Sequence, residues 1–302
     1  MYRRILVPLL ALAVLAALTS TAAAKTVKTK AAPRYYLSLG DSLSQGVQPN
    51  LKGVSSNTNE GYADDLYQTE LKRIHSLQLV KLGCGGESTQ SMITGKGNKF
   101  AGYFRCHPAG GSQLAAAVKF LKVHHAKGEV PLITIDIGAN DVDSCATAAN
   151  PVTCAATGAN QIATDVPKIL KAIKQAAPKG ATLVSMNLYD SVLGSYFAPA
   201  GSPANGLVAL SVPLVKNIND KIGAANAAAG FKTADVATDF DTYVPFTTTV
   251  NWQGNQIPLA VARICAWTWV CSTPPSGPNI HPNKNGYLEI TNVFAKAIGK
   301  LS

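Results

Sequence analysis

The chain has 302 residues, a formal net charge of +10 and 47% hydrophobic residues, which suits one large α/β domain with a sizeable core. Its basic residues are scattered rather than grouped, which argues against a nucleic-acid-binding surface. After the N-terminus no segment is long and apolar enough to span a bilayer, so we expect no stable membrane insertion.

The first 24 residues are typical of a secretory signal peptide. Arg3 and Arg4 precede an apolar run from Ile5 to Leu18, and small residues follow up to Ala24. A single-pass anchor is the alternative, but the run is shorter than the roughly 20 residues that a span needs. We therefore expect cleavage near Ala24 and an extracellular or cell-envelope protein. Its mature chain is a single domain of 302 − 24 = 278 residues (25–302).

Strand and helix patterns alternate along the mature chain. Five apolar segments predict strands at Arg34–Leu39, Leu77–Leu82, Val130–Ile137, Ala181–Tyr189 and Phe231–Val236. Helices are predicted at Tyr62–Arg73, Gly111–Ala126, Ala159–Ala177, Val212–Ala229 and Asn285–Lys300. This alternation predicts a three-layer α/β/α sandwich around a central, mostly parallel sheet.

Two stretches interrupt the alternation and are predicted to be long loops, Leu193–Ser211 and Asp239–Pro278. The second contains Trp252, Trp267 and Trp269. Loops beyond the carboxyl ends of parallel strands form the ligand site, so the tryptophans could line a substrate cleft. The alternative is that they cover the edge of the sheet as part of the core.

Six cysteines in an exported chain predict three disulfides. Several connectivities are open, and sequential pairing is favoured because it closes short local loops: Cys84–Cys106, Cys145–Cys154 and Cys265–Cys271. There is no Cys-x-x-Cys pair and no histidine cluster with zinc spacing, so we expect no metal site.

Four short polar blocks interrupt the apolar pattern: Gly40–Leu43, Gly85–Ser88, Gly138–Asp141 and Ile280–Asn283. Ser42 follows the first strand on a tight turn, which is where an α/β hydrolase exposes its nucleophile. A serine hydroxyl needs a base to take its proton, and an acyl-transfer intermediate needs fixed donors around its oxyanion. The blocks supply candidates for both roles. Each could alternatively be an ordinary turn or a helix cap.

In order and context the blocks resemble the GDSL, or SGNH, hydrolase family of esterases and lipases, from Tyr35 to about Tyr287. The resemblance implies a flavodoxin-like sheet, Ser42 as nucleophile and His281 as general base. It also implies an oxyanion hole made by the N–H groups of Ser42 and Gly86 and by the side chain of Asn140. No metal or organic cofactor is implied.

One position departs from the family pattern. The family's last block is usually Asp-x-x-His, but Pro278 stands three residues before His281. Another acceptor must then orient the imidazole. We rank the Pro278 backbone carbonyl first, the Asn279 side chain second, and a distant carboxylate, Asp239 or Asp241, third.

These features predict a monomeric secreted carboxylic-ester hydrolase that acts through an acyl-enzyme. Its substrate would be a small-molecule, lipid or acylated-sugar ester, and no residue decides the acyl length or the alcohol. Two other functions stay open. One is an idle carbohydrate- or surface-binding protein on the same fold, marked by the missing aspartate. The other is an acyltransferase that passes the acyl group to a hydroxyl other than that of water.

Overall fold

A five-stranded parallel sheet forms the centre of the computed structural model, which describes residues 31–104, 106 and 111–301. Its strands are β1 (Arg34–Gly40), β2 (Leu77–Lys81), β3 (Leu132–Asp136), β4 (Thr182–Met186) and β5 (Lys232–Ala234). The proposed signal peptide, residues 1–24, lies outside the described residues.

The strands lie in the order β2-β1-β3-β4-β5. This is a flavodoxin-like order, and it places β1 between β2 and β3. The connection after β1 leads to β2 on one side, whereas the connection after β3 leads to β4 on the other, so a crevice opens at the carboxyl ends of β1 and β3. The predicted α/β sandwich with a parallel, flavodoxin-like sheet is confirmed.

Helices cover both faces of the sheet. They are α1 (Tyr62–Leu71), α2 (Thr89–Thr94), α3 (Ala101–Phe104), α4 (Gln113–Val123), α5 (Pro151–Ala176), α6 (Pro203–Ala229), α7 (Val236–Asp239), α8 (Leu259–Trp267) and α9 (Lys284–Ile298). Neighbouring residues of β1 face opposite cores. Tyr36 packs with residues of α1, α8 and α9, whereas Leu37 packs with residues of α4 and α5.

The loop predicted over residues 193–211 is wrong in its second half, because α6 begins at Pro203. The Ser202 side chain accepts a hydrogen bond from Asn205 N at 3.2 Å and caps the helix. Proline at the first helical position is compatible with this start, since its missing N–H would have no intrahelical partner there. Helix α5 likewise begins at Pro151, earlier than predicted, with Asn150 as its cap.

The loop predicted over residues 239–278 is also wrong in part, because it contains a hairpin (Thr249–Trp252 with Asn255–Pro258) and α8. Trp267 is partly buried and packs against the core. Its ring lies 4.8 Å from the ring of Phe240, and the Arg263 guanidinium lies 4.4 Å above it. Trp252 and Trp269 line a separate cavity of about 620 Å³.

Three disulfides join Cys84 to Cys106, Cys145 to Cys154 and Cys265 to Cys271, which are the sequential pairs. A second short hairpin, Gln48–Pro49 with Ser55–Ser56, follows the turn after β1. Within the described residues, no helix combines the length and apolarity of a bilayer span.

Candidate active site

The end of β1 is held so that Ser42 lies on a turn above the sheet. Gly40 has a φ of 131°, and a Cβ there would lie 2.0 Å from the Asp136 carbonyl oxygen, so only glycine fits. Gly40 N donates to Gln113 Oε1 at 2.7 Å, and Gln113 Nε2 donates back to Gly40 O at 2.8 Å. The turn closes with a bond of 3.0 Å from Val47 N to Ser42 O. Ser42 is therefore fixed by its backbone.

A buried carboxyl pair lies beneath Ser42. Asp41 N donates to Asp136 Oδ2 at 3.0 Å, and the Tyr62 hydroxyl donates to Asp136. Burial raises the pKa of Asp41 to about 6. Burial, followed by the nearby Asp41 charge, raises the pKa of Asp136 well above its usual range. Sequence reasoning did not identify Asp41 and Asp136 as a buried pair next to Ser42. The signal was an aspartate at the end of the otherwise apolar strand β3.

The second polar block lies beyond β2 and offers an open backbone donor. Gly86 has a φ of 77°, and a Cβ there would lie 2.5 Å from Phe100 Cδ2. Among the described residues, nothing accepts a hydrogen bond from Gly86 N or from Ser42 N. Both N–H groups can therefore receive an external acceptor, as an oxyanion hole requires.

Asn140 lies in a 3-10 turn after β3, with its amide held by two acceptors. Asn140 Nδ2 donates to Glu87 O at 3.1 Å and to Asp41 Oδ2 at 3.3 Å. Asp141 fastens the same turn to α2, because its carboxylate accepts from Thr89 N at 2.9 Å and from Thr89 Oγ1 at 2.7 Å. The Asp141–Thr89 contact, which sequence reasoning did not find, joins the third block to the second.

His281 is oriented by an amide. Its Nδ1 lies 2.7 Å from Asn279 Oδ1, and its backbone N donates to the same oxygen at 3.0 Å. Asn279 Nδ2 donates to Ser55 Oγ at 3.0 Å, which keeps Oδ1 facing the ring. An amide oxygen only accepts, so Nδ1 carries the proton and Nε2 has a free lone pair.

This arrangement corrects the first-ranked acceptor, the Pro278 carbonyl. The Asn279 side chain folds back over its own turn, where one oxygen accepts from both the backbone and the ring of His281. The second-ranked acceptor is therefore the one present. Of the distant carboxylates, Asp241 accepts from Arg263 Nε at 2.7 Å and so has a different partner.

The pKa of His281 falls from its ordinary 6.5 to about 4 because the ring is buried. Asn279, its acceptor, is neutral and does not offset that loss of solvation. The imidazole is consequently uncharged at neutral pH, which is the form that can accept a proton.

The loop carrying His281 is fastened to the end of α8. Trp269 N donates to His281 O at 3.0 Å, and Asn283 N donates to Trp267 O at 3.0 Å. The Tyr189 hydroxyl donates to Ile280 O at 2.8 Å. The Cys265–Cys271 disulfide brackets the Trp267–Trp269 segment. The tryptophan stretch therefore supports the histidine loop through its backbone.

The structure brings all four predicted site residues to one opening. Ser42, Gly86, Asn140 and His281 line a cavity of about 700 Å³, here called the wide cleft. A narrower depression of about 30 Å³, the small cleft, also contains Ser42, Asn140 and His281.

An apolar cleft of about 240 Å³ adjoins the small cleft and is lined in part by Leu207, Leu210, Leu214 and Val215. Asp143 lines all three clefts, and burial raises its pKa to about 8, so its carboxyl is neutral at lower pH. The described residues include no group of three or more His, Cys, Asp or Glu that could hold a metal.

Comparisons with known proteins identify the family and the fold. The chain matches the family described as GDSL-like Lipase/Acylhydrolase over residues 36–294. Its fold is similar to an extracellular lipase from Streptomyces rimosus, with a TM-score of 0.54, 18% identity and coverage of 87% of this chain and 99% of that one.

The fold is also similar to a phospholipase A1 from Streptomyces albidoflavus NA297, with a TM-score of 0.50, 16% identity and coverage of 88% and 100% of the two chains. A lipase from a goat rumen metagenome has a TM-score of 0.53 and 15% identity, with coverage of 89% and 100%. The curated sequences gave no match. On the family match over most of its length, this chain belongs to the GDSL, or SGNH, lipase/acylhydrolase family.

Proposed function

We propose that this chain is a secreted carboxylic-ester hydrolase that uses Ser42 as nucleophile and His281 as general base. The observation that carries the proposal is the convergence of Ser42, Gly86, Asn140 and His281 on the wide cleft. They come from four separate loops, and the mechanism needs all four parts at one point.

In the acylation step, Ser42 Oγ attacks the carbonyl carbon of the ester while its proton passes to His281 Nε2. The carbonyl oxygen becomes an oxyanion. As the tetrahedral intermediate collapses, the carbon–oxygen bond to the alcohol breaks and the Nε2 proton moves to the departing alkoxide. An acyl-Ser42 ester remains.

The oxyanion would receive hydrogen bonds from Ser42 N, Gly86 N and Asn140 Nδ2. The two backbone donors have no acceptor among the described residues, so they are ready to bind it. Asn140 would exchange its longer contact, 3.3 Å to Asp41, for the oxyanion and keep the one to Glu87 O. Each such donor contributes roughly 3–4 kcal/mol in a site that excludes water.

Deacylation repeats the same two steps, attack and collapse, with water as the nucleophile. His281 Nε2 takes a proton from water, the hydroxide attacks the acyl carbon, and the proton returns to Ser42 Oγ as the acid leaves. The protonated imidazole in both steps faces the Asn279 amide oxygen at 2.7 Å rather than a carboxylate. The ring therefore keeps its orientation without gaining a counter-charge.

The clefts suggest how an ester would lie. The apolar cleft continues from the small cleft and suits an acyl chain, whereas the wide cleft opens on the Gly86 side and suits the alcohol part. Two proteins of similar fold are named as a lipase and a phospholipase A1, which supports a lipid ester among the substrates. Removal of residues 1–24 would leave a monomeric domain of residues 25–302.

The test is burst hydrolysis of p-nitrophenyl esters of increasing acyl length, together with fluorophosphonate labelling. We expect a burst, label on Ser42, and loss of both in Ser42→Ala. Ser144→Ala is the control, because Ser144 is an exposed serine lining the same cleft. Absence of label with bound sugar would favour the idle binding protein. Transfer to an added alcohol in preference to water would favour the acyltransferase.

A further inference from the structure

Exposed apolar side chains are concentrated around the openings of the clefts. The described residues expose ten large apolar side chains, and six of them line the wide or the apolar cleft: Val54, Phe100, Tyr103, Ile280, Val152 and Leu210. Tyr103 and Phe100 expose 59% and 55% of their surface. Scattered single exposures are ordinary, but four of the six line the wide cleft, and a cluster of this kind at one opening indicates an interaction surface.

The aromatic part of this cluster is held in place. The Tyr103 hydroxyl donates to Ser55 O at 2.8 Å, and the Phe104 ring lies 4.9 Å from the Tyr103 ring. Phe100 N donates to Asn98 Oδ1 at 2.8 Å. Asn98 Nδ2 in turn donates to Gly85 O at 3.0 Å, which joins the segment to the second polar block.

The same segments carry positive charge. Lys52, Lys96 and Lys99 are exposed, and Lys99 lines the wide cleft beside Phe100. Residues 48–59 and 88–104 contain no aspartate or glutamate. Exposed lysines thus flank the exposed apolar side chains along both segments.

We propose that this surface docks the wide cleft onto an anionic lipid surface. The docking rim consists of Val54, Phe100 and Tyr103 with Lys52, Lys96 and Lys99. The apolar side chains would enter the boundary between head groups and acyl chains, while the lysines would lie among the anionic head groups. Docking there brings lipid esters to the opening that contains Ser42. The proposal goes beyond ester hydrolysis, since binding needs no chemistry at Ser42.

The experiment measures binding of Ser42→Ala protein to vesicles by sedimentation, so that hydrolysis cannot alter the lipid. Vesicles of phosphatidylcholine alone are compared with vesicles containing phosphatidylglycerol. Phe100→Ser with Tyr103→Ser removes the aromatic part of the rim, and Lys96→Gln with Lys99→Gln removes charge. Every variant keeps the same N-terminus, so the apolar run before residue 24 contributes equally.

Matched controls exist elsewhere on the chain. Val123→Ser with Leu288→Ser removes two exposed apolar side chains that line none of these clefts. Lys179→Gln with Lys300→Gln removes two exposed lysines. Far-UV circular dichroism and thermal melting verify that each variant is folded.

We expect the lysine pair at the rim to weaken binding to phosphatidylglycerol vesicles by about 30-fold, and the aromatic pair by at least about tenfold. The controls should change binding less than about twofold. Equal losses in rim and control variants, or equal binding to neutral and anionic vesicles, would overturn the proposal. Because the assay needs no turnover, a failed rim and a failed esterase give different results.

Discussion

Asn279→Asp tests the orientation of the candidate base. It replaces the neutral amide that accepts from His281 Nδ1 at 2.7 Å with the carboxylate that the family usually places near this histidine. Ser55 can still contribute, because its hydroxyl can donate to a carboxylate oxygen where it now accepts from Asn279 Nδ2. The change therefore adds charge with little change in shape.

The magnitude follows from the pKa of His281. Burial lowers it from 6.5 to about 4. At 1.36 kcal/mol for each pKa unit, that difference of 2.5 makes the imidazolium about 3.4 kcal/mol less stable than it is in water. A carboxylate at the same distance should offset this cost and return the pKa towards 6.5. Full use of that energy in the transition state would raise kcat/KM about 300-fold, and we expect a gain of about tenfold.

The sign of the effect reverses with pH. A lowered pKa keeps wild-type His281 neutral down to about pH 4, so its activity should persist at pH 5. In Asn279→Asp the ring would be mostly protonated at pH 5, and the variant should be slower than wild type there but faster at pH 8. A pH-stat assay of kcat/KM between pH 4 and 9 measures both the loss at acid pH and the gain at alkaline pH.

Asn285→Asp is the matched control, since it adds the same charge at an exposed position four residues beyond His281. In this control, kcat/KM should fall at acid pH over the same pH range as in the wild type. If kcat/KM of Asn279→Asp falls at acid pH over the same range as that of the wild type, then either His281 is not the base or Asn279 does not orient it, and the reasoning fails.

Three further predictions concern the remaining parts of the site. Asn140→Ala should lower kcat by roughly 10²–10³ with little change in KM, since one of the three proposed oxyanion donors is lost; an unchanged kcat would show that Asn140 is not such a donor. Gly86→Ala should abolish activity while far-UV circular dichroism stays native, because its Cβ would lie 2.5 Å from Phe100 Cδ2 at a φ of 77°; an active variant would contradict this. Replacing Cys265 and Cys271 with serine should reduce activity at temperatures where the sheet remains folded, because the bracketed segment supports the histidine loop; activity lost only together with the circular dichroism signal would show a purely global role.

Local sequence was enough to predict the sheet and its layers. The five predicted strands overlap β1–β5, because strands of a parallel sheet that is covered on both faces are mostly apolar. In Leu132–Asp136 all five residues are buried, and three of them are leucine or isoleucine. Composition misled where proline and serine were taken as signs of a loop. At Ser202–Pro203 the same residues cap and begin α6, and only packing of the helix behind them decides between these outcomes.

The sequence by itself determined which residue types could perform acyl transfer. It was enough to assign a serine, a glycine turn, an asparagine and a histidine to predicted loops. Contacts between distant segments decided how they work together. Ser55 fixes the amide of Asn279 across 224 positions, and Asp136 supports Asp41 across 95. Hydrogen bonds of this kind depend on the distance between side chains in space, and linear order does not contain that distance until the sheet has assembled.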